Sequence, residues 1–285
     1  LNMNIELPSI LFSEDVQRAL REDLGRAGDL STLGTIGADQ TANAAFIARE
    51  GGVVCGLVHA QKAFELIDPS LKFEILMPDG SIVSQGDAVA RVTGRARPIL
   101  SAERTALNFA CHLSGIATMT SRYVSEIAHT HARMCCTRKT IPGMRTSQKY
   151  AVRCGGGWNH RFGLDDAILI KDNHIAVAGG IEAALFGANA FAGHLVKIEI
   201  EVDTLSQLDE ALTHGADCIL LDNFETASLI EAVKLNAGRA KLEASGGVRL
   251  SSVREIAETG VDYISSSQLT MSAETFDIGL DIAVS

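Results

Sequence analysis

Ser206-Gln207-Leu208-Asp209-Glu210-Ala211-Leu212-Thr213-His214-Gly215-Ala216-Asp217-Cys218-Ile219-Leu220-Leu221-Asp222 is the stretch on which the fold turns. Its first half places apolar residues at helical spacing and closes on Gly215; its second half is an apolar run ending at an aspartate. Amphipathic helix, glycine, buried strand is the grammar of a βα repeat. A second copy follows, from Ser252-Val253-Arg254-Glu255-Ile256-Ala257 through Gly260-Val261-Asp262 to a run ending at Ser265. Glu201, Asp222, Ser245 and Ser266 stand at the ends of successive runs, 21, 23 and 21 residues apart. Apolar strands alternating with helices at a fixed period imply a parallel sheet.

Working outward, earlier apolar runs end at Thr137 and Ile170, so the pattern begins near Ala132. A closed eight-unit barrel takes about 250 residues and only about 140 remain, so an incomplete α/β barrel of about six parallel strands is expected. The first third reads as α+β. Ser13-Glu14-Asp15 is suited to cap a helix running to about Gly25. Residues 41–57 and 71–94 read as strands around a Pro78-Asp79-Gly80 turn, with a helix from His59 to Ile67. A long helical segment runs from about Ser101 to His129, and Gly115 is expected to divide it. The hairpin from Asp79 to Gly94 carries no lysine at its tip, which excludes a lipoyl or biotinyl carrier.

Of the 285 residues, 46% are hydrophobic and 21% charged, the balance of a soluble globular chain. No apolar run is long enough to span a bilayer and no secretory signal is read at the start. The six cysteines lack metal-ligand spacing and are expected to be reduced, in a cytoplasmic protein; Cys154 is not read as a nucleophile. The net charge is -10, yet Arg138 to His174 holds seven cations against three aspartates. A local cationic cluster on an acidic chain suits a small polyanion rather than nucleic acid.

The polar residues share an address. Arg138 and Lys139, Lys171 and Asp172, Glu201 and Asp203, Asp222 and Asn223, Ser245 and Ser266 all fall at or just past expected strand C-termini. That rim is where parallel α/β folds bind ligands. Glu199 and Glu201 share one strand face, and Asp222 ends the next strand. Glu201 and Asp222 suit Mg²⁺ or sugar hydroxyls. Ser245-Gly246-Gly247 before a helix, followed one unit later by Ser265-Ser266-Ser267, suits a phosphate held by two loops. Gly155-Gly156-Gly157 implies close backbone approach to a ligand or partner chain, and His160 beside Arg161 is a candidate carboxylate ligand.

Thr137-Arg138-Lys139-Thr140-Ile141-Pro142-Gly143, Tyr150-Ala151-Val152-Arg153-Cys154-Gly155-Gly156-Gly157-Trp158-Asn159-His160-Arg161, Leu169-Ile170-Lys171-Asp172-Asn173-His174 and Leu242-Glu243-Ala244-Ser245-Gly246-Gly247-Val248 resemble the signatures of the quinolinate phosphoribosyltransferases. Glu103-Arg104-Thr105-Ala106-Leu107-Asn108 and Leu113-Ser114-Gly115-Ile116-Ala117-Thr118 match as well. The resemblance implies an N-terminal α/β sandwich over residues 1–112, joined by a tail at 273–285, and a phosphoribosyltransferase barrel over 113–272. It implies transfer of phosphoribose from phosphoribosyl pyrophosphate to quinolinate with Mg²⁺, giving nicotinate mononucleotide, pyrophosphate and CO₂ in NAD synthesis. It also implies a homodimer in which Arg104 reaches the partner's site.

By the same similarity Arg138, Lys139, His160, Arg161 and Lys171 surround the quinolinate carboxylates. Lys139 and Lys171 also meet the donor, Glu201 and Asp222 serve its ribose and metal, and Ser245, Gly246, Gly247, Ser266 and Ser267 take its 5′-phosphate. Lys139, Lys171, Glu201 and Asp222 are the expected catalytic set. The chain departs from the family pattern Gly-Ala-Leu-Thr-His-Ser at Ser267-Gln268-Leu269-Thr270-Met271-Ser272, losing a glycine and a histidine. Rival readings are a molybdenum-transport-associated paralogue and a non-catalytic phosphate-sensing barrel.

Overall fold

The computed structural model describes residues 6–284. In chain order, after a 3-10 turn at Ser9–Leu11, the elements are α1 (Ser13–Leu24), α2 (Leu30–Thr35), β1 (Thr41–Ala48), β2 (Gly52–Val53), α3 (Leu57–Ile67), β3 (Lys72–Ile75), β4 (Ile82–Val83), β5 (Ala88–Arg95), α4 (Ala96–Glu126), β6 (Arg133–Cys135), α5 (Arg145–Cys154), β7 (Ile168–Ile170), α6 (Asp172–Ala178), α7 (Ile181–Phe191), β8 (Ile198–Val202), α8 (Leu205–Thr213), β9 (Cys218–Asp222), α9 (Thr226–Asn236), β10 (Lys241–Ser245), α10 (Val253–Glu258), β11 (Tyr263–Ser265), α11 (Gln268–Met271) and β12 (Ile278–Val284). No single helix among the described residues is long and apolar enough to cross a membrane.

Two compact units result. The first takes the described residues up to 121, then 141–156 and 272 onward; the second takes 122–140 and 157–271. Residues 113–121 of α4 and the whole of α5 go with the first unit. There Ser147 Oγ lies 2.8 Å from His59 Nε2, and the Tyr150 hydroxyl donates to Asp79 at 3.0 Å. Gln148 Nε2 lies 2.9 Å from His112 Nε2.

The first unit is built on an antiparallel sheet ordered β12-β1-β5-β3. Alternation along β1 turns Ala42, Ala44, Phe46 and Ala48 inward. Phe46 meets Phe64 and Phe73 edge-on, with ring centroids 6.0 and 5.7 Å away. Ser13 does not cap α1: Phe12 occupies that position, and the Ser13 hydroxyl turns back to the Ser9 carbonyl. Gly115 does not divide α4, which runs unbroken for 31 residues. A Cβ at Gly115 would lie 2.0 Å from the Glu274 carbonyl oxygen, so the glycine admits the returning tail.

The second unit is a parallel sheet of six strands ordered β6-β11-β10-β9-β8-β7. Its outermost strands, β6 and β7, are not paired to one another, which leaves the barrel incomplete as the repeat count requires. The central strand β9 is apolar on both faces, with Ile219, Leu220 and Leu221 all buried, and Leu242 and Ala244 of β10 are buried beside it. Thr204 caps α8 by accepting from the Gln207 amide, fixing the turn out of β8.

Candidate active site

All six strands of the second unit run the same way, so their C-terminal ends form one rim. Arg138 and Lys139 follow β6, Lys171 follows β7, and Glu201 and Asp203 close β8. Asp222 and Asn223 close β9, Ser245 to Gly247 close β10, and Ser266 and Ser267 follow β11. Lys171 donates its ammonium to Glu201 Oε2 across neighbouring strands. Burial raises the Asp222 carboxyl above its usual range and the charge of Asp203 adds to this, while Lys171 and Lys139 oppose it. Two acids and two lysines therefore act on one another here.

The backbone at this point is built for close approach. Asn223 sits at φ 54, donating its amide N–H to the Ser245 carbonyl at 2.9 Å and its side-chain N–H to Asp222 Oδ2 at 2.7 Å. Gly246 at φ 88 packs on it, and a Cβ there would lie 2.2 Å from Asn223 Oδ1. Gly246 and Gly247, exposed and both left-handed, form a concave turn suited to an anion. Ser245 and Ser265 hydroxyls are 3.0 Å apart, joining the two serine loops.

The cationic side of the rim is half-buried. Burial lowers the Arg161 guanidinium from its ordinary pKa and the neighbouring Arg138 lowers it further, against Asp166 and Glu199. Arg161 Nη1 donates to the Ala167 carbonyl at 3.2 Å, but its buried Nε has no partner. Like charges held together with a buried donor unspent match an anionic ligand with two acceptor groups. The Thr270 hydroxyl donates to the Lys139 carbonyl at 2.7 Å and steadies that turn.

Several sequence assignments change. His160 does not present a ring nitrogen to a ligand: Nε2 lies 2.8 Å from Glu199 Oε2, and Nδ1 accepts the Arg161 amide at 2.8 Å. Ser266 is 5% exposed; its amide donates to Cys135 O and its hydroxyl to Val248 O, so both donors are committed inside the fold. Gly155 answers to its own chain, since a Cβ there would lie 2.3 Å from the Ala117 carbonyl oxygen. The basic stretch divides: Arg145, Lys149 and Arg153 go with the first unit, and Lys149 is fully buried. Arg104 is exposed on α4 in the first unit. Ser267 is not in the left-handed region, so the missing glycine leaves no strain there, and the Ser266 hydroxyl accepts the Gln268 amide at 3.2 Å.

Beneath the rim lies a cluster that strand alternation hid. Glu199 and Glu243 are 8% and 4% exposed, and Glu243 Oε1 lies 3.6 Å from His160 Nε2 with no hydrogen-bond partner. Burial pushes Glu243 up to about 7, and Glu199 adds to it. Burial likewise raises the Cys218 thiol beyond the ordinary range, again with Glu199 adding. Glu243 was missed as a site residue, while Asp203 and Asn223 were placed on the rim but given no role. An acid inside the apolar run Leu242-Glu243-Ala244 was the available signal for Glu243.

Comparison with known proteins agrees with this arrangement. The family model described as quinolinate phosphoribosyl transferase, N-terminal domain, matches residues 29–114, and its C-terminal counterpart matches 116–281. A Bacillus subtilis protein named "Probable nicotinate-nucleotide pyrophosphorylase [carboxylating]" is 42% identical over 264 residues, covering 93% of this chain and 91% of the relative. A Mycobacterium leprae protein named nicotinate-nucleotide pyrophosphorylase [carboxylating] is 41% identical, with 94% and 96% covered. The crystal structure of NadC from Streptococcus pyogenes superposes with a TM-score of 0.94 at 38% identity, covering 98% of this chain and 99% of that one. The chain belongs to the quinolinate phosphoribosyl transferase family.

Proposed function

We propose that the protein transfers phosphoribose from phosphoribosyl pyrophosphate to quinolinate with loss of CO₂, giving nicotinate mononucleotide and pyrophosphate for NAD synthesis. The observation that carries the reading is one rim with two chemistries: adjoining Arg138 and Arg161 on one side, and Asp222 with the left-handed Gly246-Gly247 turn on the other. The guanidiniums hold the pyridine's two carboxylates through paired charge-assisted bonds. Asp222, oriented by Asn223, and Glu201 hold the ribose hydroxyls, while the Gly246-Gly247 amides and Ser267 take the 5′-phosphate. So held, the pyridine nitrogen faces the sugar C1, forms the new C–N bond and breaks the bond to pyrophosphate. Lys139 and Lys171 lie on the side where pyrophosphate charge develops. The glycosylated nitrogen is positive, so the electrons of the adjacent C–CO₂ bond flow into the ring as CO₂ leaves. A proton then takes the carboxylate's place on that carbon.

The donor set fits Mg²⁺. The charge of Asp203 raises the cost of ionising Asp222, a repulsion that a hard cation relieves, and Glu201 lies on the adjoining strand. Asp222 and Glu201, with Asp203, would hold the ion, and it would supply charge neutralisation at the departing pyrophosphate.

The working form we propose is a homodimer, with exposed Arg104 offered to the partner's quinolinate site. Val177, Phe186, Phe191 and Leu195 are 90%, 77%, 87% and 84% exposed, an apolar face on α6, α7 and the following loop that a second copy would cover. The reading places the enzyme in the cytoplasm, where six free thiols such as these persist.

Loss of quinolinate absorbance with donor and Mg²⁺, with nicotinate as control, tests the function. Stoichiometric pyrophosphate release with quinolinate alone is the expected result. Binding without turnover, or turnover of nicotinate instead, refutes it.

A further inference from the structure

The cluster beneath the rim has two chemical readings. The ligand atoms of His160, Glu199 and Glu243 lie within 4.8 Å of one another, close enough for a divalent ion. The hydrogen bonding argues against that use. His160 Nδ1 accepts the Arg161 amide at 2.8 Å, so it carries no proton. The ring proton of a neutral imidazole then sits on Nε2, where a metal would have to bind. The same proton is aimed at Glu199 Oε2 at 2.8 Å, with Glu243 Oε1 3.6 Å away and unpartnered. The ring is clamped from both ends: the Glu199 carboxylate holds one nitrogen, and the other holds the backbone of the residue that carries a ligand-facing guanidinium.

We infer that Glu199, with Glu243 behind it, is a positioning residue for quinolinate: it fixes His160 as the Nε2–H tautomer, and His160 in turn fixes the Arg161 amide and guanidinium. The inference rests on the proposed quinolinate reading and adds specificity residues to it. The tautomer step is what links buried acid to ligand site. If Glu199 no longer accepts, the imidazole is free to move its proton to Nδ1. There it opposes the Arg161 N–H, and the turn carrying Arg161 loosens. The donor subsite, built on Asp222, Asn223 and Gly246, does not pass through His160.

Two measurements test it. Nitrogen-15 histidine spectra of the ligand-free protein should show one neutral Nε2–H ring that disappears in His160→Gln; the chain has eight histidines, so this variant supplies the identification. Calorimetric titration should show Glu199→Leu weakening quinolinate about 10-fold or more and the donor less than about 2-fold. Glu199→Gln, which keeps an acceptor oxygen, should restore quinolinate to within about 3-fold. An Nδ1–H tautomer or an imidazolium at neutral pH in the unmodified protein overturns the inference. So does equal weakening of both ligands, unchanged quinolinate binding in Glu199→Leu, or stoichiometric chelator-removable zinc. Should Glu199→Leu fail to fold, the tautomer of the unmodified protein still decides. Failure of that protein to bind quinolinate at all would instead sink the functional reading, leaving the tautomer result standing.

Discussion

Replacing Glu243 by glutamine should change the pH dependence of stability in a definite direction. The carboxyl is 4% exposed, and burial followed by the charge of Glu199 lifts it from 4.5 to about 7, against His160 and a Ser265 hydrogen bond. The folded state therefore keeps this proton between pH 4.5 and about 7, where the unfolded chain has released it. The stability contributed is complete below pH 4.5 and is lost as pH rises through about 7. At about 1.4 kcal/mol per pH unit, the window corresponds to roughly 3 kcal/mol. Glutamine is isosteric with the protonated acid and does not titrate. Glu243→Gln and the unmodified protein should match near pH 4.5, and the variant should become the more stable by roughly 3 kcal/mol at pH 8. For a chain of this size that is roughly 6–12 °C in melting temperature. Paired melts by circular dichroism across pH 4.5–8 read it directly, because other titrating groups cancel in the difference. A pH-independent difference, or one that grows toward acid, refutes the burial argument.

Arg138→Ala should weaken quinolinate about 10- to 150-fold, the worth of one charge-assisted bond, and leave donor affinity near its original value; calorimetry checks this. Asp222→Asn should raise the donor KM most at limiting Mg²⁺, and unaltered donor kinetics there would remove Asp222 from the site. Gly246→Ala should lower stability by about 1–3 kcal/mol and impair donor binding, since the residue sits at φ 88 with Asn223 Oδ1 2.2 Å from the added carbon. Removing divalent ions with a chelator should abolish turnover and leave melting temperature nearly unchanged; restoration by Mg²⁺ completes the test.

The repeat was legible because helix and strand periods differ and each run ended on a polar residue. Six strands and their shared rim followed from that, as did Arg138, Lys171, Glu201 and Asp222 on one edge. Local spacing could not reveal which polar groups already have partners. His160 and Ser266 read as ligand donors, yet Glu199, Cys135 and Val248 occupy them from distant parts of the chain, and the adjacent Arg161 amide takes the second ring nitrogen of His160. Lys149 read as part of a solvated basic run because charge normally marks surface, but α5 buries it in the first unit. Gly115 read as a break because nothing nearby in sequence announces that residue 274 passes over it. Likewise φ at Ser267 depends on the turn it occupies, so the family's glycine was a poor guide to strain.

The seam between β1 and β12 has a consequence for how the chain comes into being. Residues 42–48 find their partners at 278–284, more than two hundred positions later. During synthesis β1 must wait, one strand edge bare, until residues 278–284 have been translated. The barrel, whose strands join mostly near neighbours, is free to assemble meanwhile. A pulse-labelling experiment on stalled nascent chains should find the β1 amides that face β12 unprotected until residues 278–284 emerge. Such a waiting edge invites chaperone capture, and it ties completion of the first sheet to the arrival of β12.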